Sequence, residues 1–192
     1  MIMTTIIWVV TGLTLLGLLL YVVGIYNSVV SLDRGVGQVF GNLESVMKQR
    51  HDEIPKLVNA CQAYMEHEAG LLERLTELRT SYQQAASAEE KVAIENELTR
   101  ALGKLNLTWE NYPDLKANQQ FLKVHERISS LETTLNDRRE QFNEAVTQHN
   151  VLIAQFPALL IASLFSWREK PTLEISATDK TDNLAPFPLK GS

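Results

Sequence analysis

The chain has 192 residues, a formal net charge of −5 and a single cysteine, with 45% hydrophobic residues. An acidic balance of this kind argues against a general nucleic-acid binder, whose surface carries a basic patch or stripe. The lone Cys61 closes no intramolecular disulfide. Set among Leu57, Val58, Tyr64 and Met65, it reads as a small buried hydrophobe rather than a reactive thiol.

From Met1 to Leu32 there is no Asp, Glu, Lys or Arg, and Ile6 to Ile25 reads IIWVVTGLTLLGLLLYVVGI. A helix of about 20 apolar residues crosses a hydrocarbon core of about 30 Å. Met1 to Thr5 carries no basic side chain, the run outlasts the roughly 7–15 residues of a secretory h-region, and no A-x-A site follows. Residues 1–25 are therefore expected to be an uncleaved transmembrane anchor. Tyr21 and Tyr26 at one end and Trp8 at the other are placed as interfacial aromatics, or else are ordinary apolar fill.

Beyond the anchor, apolar residues recur in steps of three and four, the mark of amphipathic helices. Val29, Leu32, Val36, Val39, Leu43 and Val46 lead to Arg50 in a first helix that continues directly from the span. Gly35, Gly37 and Gly41 lower its propensity and either admit a close neighbour or are simply tolerated. A break is expected at His51 to Pro55, because proline suits the first turn of a helix and Asp52 or Glu53 suits its cap.

The second helix then carries Leu57, Cys61, Tyr64, Glu68, Leu71, Leu75, Leu78 and Tyr82. Ala85 to Ala88 reads as a turn in which Ser87 and Glu90 have capping-box spacing. The third helix carries Val92, Ile94, Leu98, Ala101, Leu105 and Trp109 and stops before Pro113. The fourth runs from Phe121 through Val124, Ile128, Leu131, Leu135, Arg138, Phe142, Ala145, His149 and Leu152 to Phe156 as a sustained heptad.

This pattern predicts an all-α protein, with an N-terminal transmembrane helix continuing into an antiparallel up-and-down four-helix bundle over residues 26–167. A coiled coil formed between chains is the alternative. Residues 168–192, with Pro171, Pro186 and Pro188, are expected to be a disordered tail. At 1.5 Å per residue the fourth helix, about 58 Å long, overshoots the third, about 35 Å, by about 24 Å towards the membrane. The overshoot, Val151 to Trp167, has no charged residue. It is expected either to rest at the membrane interface through Phe165 and Trp167 or to cap the open end of the core.

Tyr26-Asn27 after the span, KQRHDEIPKLV at Lys48 to Val58, Tyr64 and His67-Glu68 resemble the first half of the LemA family. NYPDLKANQQF at Asn111 to Phe121, Glu132, Arg138-Arg139, Phe142-Asn143, Asn150 and Phe156-Pro157 resemble its second half. Phe142 stands where the family often has Tyr, and Thr133 where it often has Asn, so the hydrogen bonds of those positions do not carry over. The resemblance implies a membrane-associated four-helix bundle without established enzymatic chemistry, with a membrane span or a lipidated N-terminus.

No phosphate loop, nucleophile elbow or Cys-His pair is present. His51 and His67 lie across the expected break rather than on one helix face, so a zinc site is not expected. Glu68, Glu132, Arg138 and His149 fall on or beside the apolar stripes as candidates for a buried polar network. Lys48 to Lys56 and Tyr112 to Asn118 are expected to be turns at one end of the bundle. There Arg50, His51, Asp52, Pro55, Tyr112, Pro113, Asp114, Lys116 and Asn118 either bind a partner or merely build the turns.

The expected protein is thus not an enzyme and uses no cofactor or metal. It is a single-pass scaffold or protein-binding bundle at the bacterial cytoplasmic membrane, or alternatively a self-assembling membrane organiser. Its partners are the lipid bilayer and either a second copy or another membrane protein, with no nucleic acid. Arg34, Lys48 and Arg50 place the bundle in the cytoplasm by the positive-inside rule, whereas the resemblance to lipidated family members points to export.

Overall fold

The structure, a computed structural model, describes residues 2–173. Every regular element among them is helical: α1 Ile2–Gln62, α2 Ala69–Gln84, α3 Ala88–Thr108, α4 Pro113–Lys116, α5 Gln119–Ala154 and α6 Ala158–Leu164. Short 3₁₀ turns at Glu66–Glu68 and Trp109–Asn111 precede α2 and α4. The described residues form two compact units, one of residues 2–42 with 138–173 and one of residues 43–137.

The span and the first amphipathic helix are one element, as the unbroken hydrophobic pattern predicts. The expected break at His51 to Pro55 does not occur, and Pro55 lies inside α1. An interior proline lacks its ladder N–H and crowds the carbonyl four residues back, at a cost of about 3 kcal/mol. Pro55 is exposed, while Met47, Ile54, Leu57 and Cys61 on the opposite side of the same stretch are buried. Burial of such side chains is worth about 1.5–3 kcal/mol each, so packing outweighs the local cost.

The chain turns instead after Gln62. The Tyr64 and Met65 N–H groups both donate to the Cys61 carbonyl, at 2.9 and 3.0 Å, and Met65 is fully buried. No glycine or proline marks this turn in the sequence. A Cβ added at Gly35, Gly37 or Gly41 would meet nothing within 4 Å, so these glycines serve no close helix approach.

In the unit of residues 43–137, four helical segments share one core. α1 supplies Ile54, Leu57 and Cys61; α2 Leu72, Leu75 and Leu78; α3 Leu98, Leu102 and Leu105; α5 Phe121, Val124 and Ile128. The turn between α2 and α3 is built as its sequence predicts. Ser87 accepts from the Glu90 N–H and the Glu90 carboxylate accepts from the Ser87 N–H, so two orphan donors are satisfied reciprocally.

In the other unit, Val29 packs with Ile153 and Ala162, and Val36 with Phe142 and Val146. α6 turns 95° from α5. The fourth predicted helix therefore ends at Ala154, short of Phe156. α1 is the one described helix that is by itself long and apolar enough to cross a membrane.

The expected disorder of the tail does not extend to its first part. Residues 168–173 are described and hydrogen-bonded to α5. Residues 174–192 lie outside the described residues.

Candidate functional site

The buried charges gather where α1, α2 and α3 meet, in the unit of residues 43–137. Arg50 and His51 follow Val46 and Met47 on the inward face of α1 and are 0% and 2% exposed. They lie inside a helix, so the expectation of a partner-binding loop at Arg50, His51, Asp52 and Pro55 is corrected; Asp52 and Pro55 are exposed on the same helix.

Opposite them stands Glu95, fully buried on the stripe of α3 that also carries Leu98, Leu102 and Leu105. The Arg50 Nη1 donates to Glu95 Oε1 at 2.7 Å and to Thr99 Oγ1 at 2.9 Å. His51 Nε2 lies 3.0 Å from Glu95 Oε2, off-axis for a hydrogen bond, and its ring stacks on Tyr82 with centroids 4.0 Å apart. Glu132 approaches Arg50 Nη2 at 3.5 Å from a partly exposed position.

Burial by itself raises the Glu95 carboxyl, but the His51 contact and the Arg50 charge outweigh it and hold it below the usual carboxylate range. Glu95 therefore stays ionised at neutral pH and neutralises Arg50 in the core. Burial, with the charges of Glu44, Glu95 and Asp52, pushes the Tyr82 hydroxyl in the opposite direction, upwards. Arg50 and Glu95 are thus buried against each other and join α1 to α3 through the core.

Of the network expected from the sequence, Glu132 joins this cluster. Glu68 sits half-buried in the 3₁₀ turn before α2. Arg138 Nη1 donates to the side-chain Oε1 of the nearby Gln141 at 2.8 Å, while Arg139 takes the buried position. His149 is buried in the other unit, 3.8 Å from Asp33 and beside Asn150. The expectation of one network uniting Glu68, Glu132, Arg138 and His149 is thus corrected. Glu95 was missed, although a carboxylate in phase with Leu98, Leu102 and Leu105 was the available signal. Cys61 is buried and its thiol is pushed up to about 11 by burial, so it is protonated at neutral pH.

The Tyr112 to Asn118 segment is tightly built. Pro113 opens α4, where its missing N–H costs nothing. The fully buried Leu115 ties it to the core. Asn118 Oδ1 accepts from the Gln120 and Phe121 N–H groups at 2.9 and 3.1 Å and so caps α5. Its Nδ2 donates to the Tyr64 hydroxyl at 3.2 Å. The segment is therefore tied to the turn after α1 through Tyr64, and its Leu115 shares the core cluster with Ile54 and Leu57. Asp114 and Lys116 point into solvent, and Tyr112 is half-buried.

Where α1 leaves its most apolar stretch, Tyr26 meets Phe165 and Trp167, with centroids 4.9 and 5.3 Å apart. Tyr21 lies higher on the exposed span. α6 buries Ala158, Ile161 and Ala162 beneath it and leaves Leu159, Leu160 and Leu164 exposed, flanked by Phe156 at 81% and Phe165 at 51%. Large apolar side chains exposed side by side mark an interaction surface rather than an ordinary soluble face.

A helical chain with one long apolar N-terminal helix and these sequence blocks defines the class, and the LemA family model matches residues 39–185; the chain belongs to the LemA family. A curated relative, Protein LemA of Metamycoplasma hominis, is 22% identical over 141 residues, covering 73% of this chain and 64% of that protein. The chain thus spans about two thirds of the length of this relative.

Proposed function

We propose that the protein is a non-enzymatic scaffold, a single-pass protein of the bacterial cytoplasmic membrane that presents an up-and-down four-helix bundle to other proteins. The observation that carries this reading is the continuity of α1. One helix contains both the apolar span and the Arg50–His51 anchor of the buried core, so no loop or linker separates the span from the bundle's first helix. The core agrees with this reading in that its buried Arg50 and Glu95 are ion-paired with each other. Particle size in mild detergent tests the reading. A small species that gains mass only with a co-purified partner is expected, and a large homo-oligomer of the purified chain alone would replace the scaffold by a self-assembling organiser.

The exposed side of α6 is the second membrane contact in this proposal. Its leucines and the Tyr26–Phe165–Trp167 cluster stand at the end of the span, where an amphipathic element lies in the headgroup layer. With Trp8 and Trp109 replaced by phenylalanine, the fluorescence of Trp167 should be quenched by lipids brominated near the headgroup. Indifference to those lipids would sink the interfacial placement.

A further inference from the structure

Residues 167–173, Trp-Arg-Glu-Lys-Pro-Thr-Leu, lie along α5 within one unit and are held by a regular device. The Asn150 side chain donates to the Lys170 carbonyl at 2.8 Å and accepts from the Lys170 N–H at 2.9 Å. Asn143 repeats the arrangement with Leu173, donating at 2.8 Å and accepting at 2.7 Å. Each amide thus reads a complete main-chain unit, as a neighbouring strand would.

The spacing matches. Seven residues along α5 rise about 10.5 Å, and three residues of an extended, polyproline-like chain advance about 9 Å. Burial also recurs every third residue: Trp167, Lys170 and Leu173 are half-buried or nearly so, and the four between them are exposed. Trp167 packs against the cluster of Val29, Ile153 and Ala162. Leu173 packs by Val36, Phe142 and Val146. Midway, the Lys170 ammonium sits 3.0 Å from Asp33.

We propose that this face of α1 and α5 is a docking groove for extended peptides and that residues 167–173 are its resident, displaceable strap. The proposal rests on the protein-binding reading above and gives it a site and a partner class. The partner is an extended segment with apolar anchors six residues apart and a basic residue midway, since the groove offers two apolar sockets, the Asp33 carboxylate between them and two asparagines that read main chain alone. Main-chain reading imposes no sequence beyond those three positions. A strap on a short tether competes at millimolar effective concentration, so the groove opens only to a partner that displaces it.

The test uses the full chain in detergent micelles and a fluorescent peptide with the sequence of residues 167–173. Lys170→Glu with Leu173→Asp loosens the strap without touching the groove and should tighten peptide binding about tenfold. Adding Asn143→Ala and Asn150→Ala should abolish that gain, and a peptide with glutamate in place of its lysine should bind about fivefold more weakly.

Equal affinity in the wild-type and strap-loosened chains, or binding indifferent to both asparagines, overturns the groove. Independently of any variant, the wild-type Lys170 and Leu173 amides should exchange with solvent about tenfold more slowly than those of Arg168 and Glu169, and equal exchange overturns the strap. Either failure in a small protein that still co-purifies with a partner removes the groove and leaves the scaffold. A large homo-oligomer of pure chain removes the scaffold whatever the peptide does.

Discussion

Arg50→Leu should destabilise the folded unit of residues 43–137 by about 3–5 kcal/mol. The change leaves Glu95 ionised and fully buried with its Oε1 hydrogen bond gone, and an uncompensated buried charge is among the costliest defects a core can hold. At about 2–4 °C per kcal/mol for a chain of this size, the melting temperature should fall by about 6–20 °C. Removing both charges, Arg50→Leu with Glu95→Leu, should recover most of the loss, because a buried pair contributes far less as a pair than its broken half costs. Calorimetry of the three proteins decides it, and an Arg50→Leu protein that melts with the wild type would show that the cluster is not the closed ion pair described.

The same pair sets an acid limit. The folded Glu95 carboxyl is held below its ordinary value, so its contribution is fully present above the unfolded glutamate pKa of about 4.3 and is lost as pH falls through the lower folded value. Stability should therefore decline below about pH 4.3. In Glu95→Gln that part of the acid slope should vanish, from a lower neutral-pH starting point.

Leu15→Arg with Leu16→Arg should release the protein from the membrane. Leucine favours the centre of a span by about 0.3–0.6 kcal/mol and arginine disfavours it by about 2.5–3.5, so the two changes together cost about 6–8 kcal/mol of insertion. Both positions lie in the middle of the exposed apolar part of α1, away from interfaces to which an arginine could snorkel. Flotation of cell membranes after alkaline extraction checks this, and full retention of the double variant would show that α1 does not supply the anchor. The core of residues 43–137 should be untouched, since no side chain of the pair reaches it.

Much of the helical plan was legible because it is written locally. The capping box at Ser87 and Glu90, the stop before Pro113 and the apolar span each depend on residues close in sequence. The break predicted at Pro55 failed because proline is a local signal and the buried contacts of Ile54 and Leu57 are not. The actual turn after Gln62 carries no local signal at all, being held by the burial of Met65.

Along α5 a strict heptad predicted Arg138, Ala145 and Leu152 inward, and the helix instead buries Arg139, Val146 and Ile153. A straight helix has 3.6 residues per turn, so a 3.5-residue pattern drifts by about 20° per heptad. Leu131, Leu135 and Arg139 absorb that drift in two consecutive steps of four.

By itself the sequence determined that this protein is helical, that its N-terminus can span a bilayer and that it belongs with LemA-type chains, because composition, periodicity and short blocks carry those properties. Tertiary structure alone decided that α1 runs through Pro55 and that Arg50 and His51 close on Glu95. It also decided that Asn143 and Asn150 hold residues 167–173 against α5. Each of these joins residues far apart in the chain, and hydrogen bonds and burial at such separations leave no periodic trace in the residues between them.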